Sequence, residues 1–225
     1  DFSHFEALHA LGYLPIEIKS LQEGSLVNMG TPALTIVNTH SDFQWLTNYL
    51  ESVISAEIWK PTTVATIGRE FRNLSNKWAL KTTGSVEGTE FQNHDFSLRG
   101  QDSVESAAAS GAGWLTSTLG TDNVPSLMWI EQYYNQDVGK NPVAGSVTAS
   151  EHSLATSAIQ FFITKKRKEN NEESLIDKPA TPEELNQGEL DYLNYLLDKI
   201  PAGIMSYVAD SYDYWGFLSD ILPKV

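Results

Sequence analysis

The stretch Phe91–Gly100, FQNHDFSLRG, sets His94, Asp95, Phe96 and Arg99 within six residues and closes on a glycine. A strand that only packs a core has no use for an imidazole, a carboxylate, a flat ring and a fixed cation together. A ring that stacks and a guanidinium that grips an anion suit a heteroaromatic ligand carrying a phosphate. Each residue also has a plainer role. His94 could be a structural histidine, Asp95 could cap the turn or pair with Arg99, and Phe96 could be core. A second group, Glu151–His152–Ser153, places a histidine beside an acid, which suits a general base, a metal ligand or a phosphoacceptor. The chain contains no H-x-H and no H-E-x-x-H, so a metal-hydrolase reading is weak. A third group, Asp210–Ser211–Tyr212–Asp213, closes another apolar run.

These groups need elements to hold them. Three apolar runs each end in polar residues: HDFSLRG, SEHS and ADSYD. Each is followed by, or lies near, a helical pattern. Strand, polar tip and helix in repetition is a βα signature, and in such folds ligands sit at the C-terminal strand ends. The first forty residues alternate apolar and polar positions between the turn signals EG and MGTP, which predicts about three strands. Ser41 with Gln44 predicts a capping box opening one helix, and a second helix is expected after Pro61, with Val64, Ile67, Phe71, Leu74 and Trp78 on one face. SVESAAASGAGWLTSTLG reads as a small-residue helix able to approach a neighbour closely. Asp122 stands near the start of the helix after it. Lys165–Pro179 reads as a charged surface excursion. Thr181, Pro182 and Glu184 then restart a helix with a capping box.

Bulk composition narrows the function. The 225 residues carry a net charge of −14, from 29 acidic against 15 basic side chains, with 41% hydrophobic content. That balance opposes nucleic acid and anionic membranes as partners, but not a phosphorylated ligand held by a few arginines and backbone amides. With no cysteine, disulfides, thiolate nucleophiles and Cys-based zinc sites are excluded. No secretory signal or long apolar run is evident, so a cytoplasmic location is expected. There is no P-loop and no G-x-G-x-x-G.

LPIEIKSLQEG, WLTNYLES, PTTVAT, HDFSLRG followed by S-x-E-x-A, GTD, SVTASEHS and VADSYDYW occur in order. In order and spacing they resemble nicotinamide phosphoribosyltransferase, bacterial and phage branch, from about Leu14 onward. The resemblance implies an α/β fold: part of an irregular βα barrel of the type II phosphoribosyltransferase kind over 41–225, preceded by part of a small β-rich domain over 1–40. It implies transfer of a phosphoribosyl group from phosphoribosyl pyrophosphate to nicotinamide. The products are nicotinamide mononucleotide, used in NAD salvage, and pyrophosphate. Phe96 matches the ring-stacking aromatic, Arg99 the arginine beside ring and pyrophosphate, and Asp122 the carboxylate that accepts from the carboxamide. Ser146 and Val147 match residues lining the tunnel beside the ring, and Ser206 lies near Asp210. His152 matches the histidine phosphorylated by ATP. Asp210 matches an acid near ribose and Mg²⁺. The family also implies a homodimer with the site at its interface. The charged excursion departs from the animal enzymes. The family's RPDSG stretch, its glycine-rich phosphate loops and its N-terminal ring-covering tyrosine have no counterpart here, so this chain is expected to carry the base-recognition half and to be inactive by itself. The alternatives are a nicotinate phosphoribosyltransferase, which Asp122 disfavours, and a non-catalytic chain that needs a partner.

Overall fold

Turn chemistry decides the first element pair. Gly24 and Gly30 both take positive φ, 82° and 85°, so the thirteen residues between Ser20 and Leu34 turn twice and form no strand. The computed structural model, which describes residues 1–225, therefore has two antiparallel strands here, not three: β1 (Ile16–Ser20) and β2 (Leu34–Asn38). A helix, α1 (Ser3–Leu11), precedes them. The chain is a mixture of helices and small sheets, an α/β arrangement with three two-stranded sheets and none closed on itself. Its contacts divide into two units, Asp1–Ser146 and Val147–Val225. No helix is long and apolar enough to cross a membrane.

In the first unit the two helices expected around Pro61 are one, α2 (Trp45–Thr82). Proline in a helix interior costs about 3 kcal/mol, and packing around Pro61 outweighs it. Gly113 of α3 (Val104–Trp114) sits so close that a Cβ there would lie 2.5 Å from the Pro61 carbonyl oxygen. Lys60 bonds Asp102 and, at 2.7 Å, Ser106 Oγ. The expected Ser41–Gln44 box is not formed either. Ser41–Phe43 is a 3-10 turn capped by His40, whose Nδ1 accepts the Asp42 N–H, and Gln44 makes no side-chain cap bond. Of the α2 stripe, Ile67, Phe71, Leu74 and Trp78 are exposed; Gly68 and Ala79 are among the residues the helix buries.

The small-residue helix packs as its composition requires, burying Ala107, Ala108, Ala109, Ser110 and Gly111. Around it lie β3 (His94–Asp95), β4 (Gly120–Thr121) and α4 (Val124–Tyr134). β3 and β4 are parallel, with His94 opposite Gly120 and Asp95 opposite Thr121. A parallel bridge continues the arrangement from Gly120 to Gly145.

The second unit pairs β5 (Thr148–Ala149) with β6 (Met205–Ser206), again parallel. Ala155, Ile159 and Ile163 of α5 (His152–Glu169) pack with Tyr192 of α6 (Pro182–Lys199). Leu193, Phe217 and Ile221 form a second buried group. The Thr181–Glu184 capping box is present in both directions. The first residues of the charged excursion, Lys165–Glu169, are the last turn of α5. Arg167 within it is buried, donating to both oxygens of Glu184 at 2.7 Å and to the carbonyls of Glu173, Ser174, Lys178 and Pro179. One guanidinium thereby ties down the connection from α5 to α6, since only arginine offers five donors in a fixed fork. Sequence reading treated the run as solvated. The overlooked signal is spacing: Ile159, Ile163 and Arg167 lie four residues apart on the buried face.

Candidate functional site

In the first unit three neighbouring parallel strand ends present side chains. Phe96 follows β3, Asp122 follows β4, and Ser146 follows the bridging Gly145. Backbone bonds lock the order. Asp122 N–H donates to the Asp95 carbonyl at 2.9 Å, and Thr121 N–H donates to the Gly145 carbonyl at 3.0 Å. Short strands suffice because the small residues between them allow close approach. At Gly120 a Cβ would lie 2.5 Å from the Asn93 carbonyl oxygen and 2.8 Å from the His94 ring.

Phe96 is 43% exposed, so it is not core. Its ring stacks on His94, with centroids 6.0 Å apart and planes 26° from parallel. His94 Nε2 is buried without a hydrogen-bond partner. Arg99 lies in the 3-10 turn Ser97–Gly100, is exposed and makes no ion pair. Asp95 does not pair with it. Its carboxylate instead accepts the Ser97 N–H at 2.8 Å and the Asn123 Nδ2 at 3.0 Å.

Asp122 is exposed and accepts a hydrogen bond from the Ser146 hydroxyl. It does not cap α4. The cap position is Asn123, and no helix N–H donates to the Asp122 carboxylate. A carboxylate held out by a hydroxyl and not used by its helix can accept N–H donors from a ligand.

In the second unit β5 and β6 align Ala149 with Ser206. Ser150 N–H donates to the Ser206 carbonyl at 2.9 Å, and Val208 N–H donates to Ser150 Oγ at 2.8 Å. Beyond these strand ends His152 Nδ1 meets Asp210 Oδ1 at 3.0 Å, with both side chains more than half exposed. An ionised carboxylate only accepts, so Nδ1 donates to Asp210, and in the neutral ring the lone pair is then on Nε2. The acid beside His152 in sequence is not its partner. Glu151 caps α5, accepting the N–H groups of Ser153 and Leu154 and the Ser153 hydroxyl. These bonds hold its carboxyl down at about 2. His152 thus gains its acid from 58 residues away.

Of the candidate residues, Phe96, Arg99, Asp122 and Ser146 lie in the first unit and Val147, His152, Ser206 and Asp210 in the second; the structure sets Phe96 and Asp122 on neighbouring strand ends and joins Asp122 to Ser146 and His152 to Asp210. No cluster of three or more His, Cys, Asp or Glu side chains is arranged to hold a metal. Sequence reading missed Asn123, which is fully buried between β3, α3 and α4. An asparagine just before a helix reads as a cap, and nothing local marks it otherwise.

No family model matches the chain. It is homologous to curated nicotinamide phosphoribosyltransferases. It is 41% identical over 223 residues to that of Acinetobacter baylyi, covering 99% of this chain and 38% of the relative. It is 36% identical over 148 residues to that of Xanthomonas campestris pv. campestris, covering 65% of this chain and 30% of the relative. To that of Mycoplasma pneumoniae it is 29% identical over 215 residues, covering 94% and 39%. The chain thus spans 30 to 39% of the length of these relatives.

Proposed function

We propose, taking this homology to nicotinamide phosphoribosyltransferases as the premise, that the chain carries the base-recognition part of such an enzyme. The reaction is transfer of a phosphoribosyl group from phosphoribosyl pyrophosphate to nicotinamide. The observation that carries this reading is the adjacency of Phe96 and Asp122. An exposed ring and an exposed carboxylate leave neighbouring strand ends, each one residue past the Asp95–Thr121 pair.

Phe96 stacks on the pyridine, and Asp122, oriented by Ser146, accepts the carboxamide N–H. Nicotinate would set a second carboxylate against Asp122, at roughly 1 to 4 kcal/mol for like charges at contact distance. Arg99 grips pyrophosphate. The ring nitrogen forms its bond to ribose C1 as the bond to pyrophosphate breaks, a step served by positioning and by cations near the departing charge.

His152 is the phosphoacceptor. Nε2 attacks the γ-phosphorus of ATP and ADP leaves, while Asp210 holds the Nδ1 proton and so steadies the ring. The bond to His152 uses one oxygen of Asp210. A lone exposed carboxylate fits Mg²⁺, which takes one or two carboxylates together with substrate phosphates. Asp210 would hold the ion, which when bound would offset phosphate charge, and Ser206 lies four residues before it on β6. We extend the reading to residues 1–40 as part of a small β-rich domain and 41–225 as part of a βα barrel. It also includes a homodimer and a cytoplasmic setting.

The test uses the full gene product that carries this sequence. With phosphoribosyl pyrophosphate, Mg²⁺ and ATP it should convert nicotinamide to nicotinamide mononucleotide, with kcat/KM well above that for nicotinate. Preference for nicotinate, or turnover of neither base, overturns the reading.

A further inference from the structure

We propose that Asn123 is a positioning residue for the base subsite, setting the distance between Phe96 and Asp122 through Asp95. The proposal rests on the reading of Phe96 and Asp122 given above.

Asn123 has no exposed surface, and its side-chain amide spans two acceptors. Nδ2 donates to Asp95 Oδ2 at 3.0 Å and to the Ala107 carbonyl of α3 at 2.8 Å. Its backbone N–H donates to Thr121 Oγ1 at 2.9 Å, and its carbonyl accepts from Ser126 Oγ at 2.6 Å. Asp95 in turn accepts the Ser97 N–H, which fixes the turn just after Phe96, and its carbonyl accepts the Asp122 N–H. One amide therefore joins both strand ends to α3.

The residue type follows from the donor count. Two acceptors face one position, so the group that serves both must donate twice; aspartate cannot donate, and leucine leaves Asp95 Oδ2 without its donor and removes the tie to the Ala107 carbonyl. The fold makes room for the amide at Gly111, where a Cβ would lie 2.5 Å from Nδ2. It also leaves Asn123 Oδ1 buried without a partner. Apolar packing alone gives no reason for such an atom; a clamp that needs both N–H groups of one amide does.

The experiment compares Asn123→Leu, Asp95→Asn and the exchanged pair Asp95→Asn with Asn123→Asp in the full gene product. In the single variants the nicotinamide KM should rise about tenfold or more. KM for phosphoribosyl pyrophosphate should change less than about twofold. Hydrogen exchange at the Asp122 N–H should quicken about tenfold relative to amides in the middle of α2. The exchanged pair restores one amide–carboxylate bond and should recover part of both effects. Folded single variants with unchanged nicotinamide KM overturn the proposal, as does a uniform rise in exchange with equal changes in both KM values. Asp95→Asn keeps the test open if Asn123→Leu does not fold, because its Oδ1 still accepts the Ser97 N–H. If the unaltered protein uses neither base, the substrate reading fails, while exchange at Asp122 still judges the clamp: unchanged exchange overturns it.

Discussion

The hydroxyl of Ser146 donates to the carboxylate of Asp122, joining two strand ends that are 24 residues apart in sequence. The helix after Asp122 makes no use of that carboxylate, so its removal tests ligand preference directly. Asp122→Asn and Asp122→Ser should lower the nicotinamide-to-nicotinate ratio of kcat/KM by roughly tenfold or more, a loss of about 1.4 kcal/mol in discrimination. Ser146→Ala should move the ratio the same way by less. An unchanged ratio measured side by side on both bases removes Asp122 from base selection.

Phe96 is 43% exposed, and stacking on His94 is its one ring contact. With that much of its surface open, truncating it costs less than truncating a core phenylalanine. Phe96→Ala should raise the nicotinamide KM about tenfold or more, as expected when an aromatic stacking partner is lost, with a shift in Tm of only a few degrees. Thermal melts and initial rates on one preparation separate the outcomes; a large drop in Tm with unchanged KM would assign the ring to stability.

His152 and Asp210 act as a pair. With ATP and Mg²⁺ the full gene product should acquire an acid-labile, base-stable phosphate. His152→Ala should abolish it and with it the ATP stimulation, leaving some ATP-independent turnover. Asp210→Asn should slow phosphate incorporation, because an amide no longer fixes which ring nitrogen carries the proton. Radiolabel retained in His152→Ala would place the phosphate elsewhere.

Arg167 and Glu184 should govern acid stability. Bonds from Arg167 and from the Thr181 N–H hold the Glu184 carboxyl at about 2, against 4.5 for an ordinary glutamate. The folded state therefore binds fewer protons than the unfolded one, and this contribution is complete above pH 4.5 and fades as pH falls toward 2. Denaturant midpoints of the unaltered protein should fall through that window. In Glu184→Gln the midpoint should be lower at pH 7 and flatter between pH 5 and 3. Parallel curves for the two proteins would show that other carboxylates set the acid limb.

The sequence by itself determined what depends on local geometry. The Thr181–Glu184 box, the tight packing of the alanine-rich helix and the succession of strand, polar tip and helix all rest on contacts within a few residues. The motif order that nominated Phe96, Asp122 and His152 was equally legible. Tertiary structure decided what depends on distant neighbours. Pro61 ends a helix by its own preference, yet α3 and Lys60 pack around it and α2 runs on. Glu151 stands next to His152 in the chain, but its carboxylate turns to the helix amides, and Asp210 supplies the acid instead. Asn123 and Asp95 are 28 residues apart, and Arg167 and Glu184 are 17 apart. A buried polar group must find a partner wherever the fold brings one, and that partner is fixed by packing, which sequence spacing does not encode.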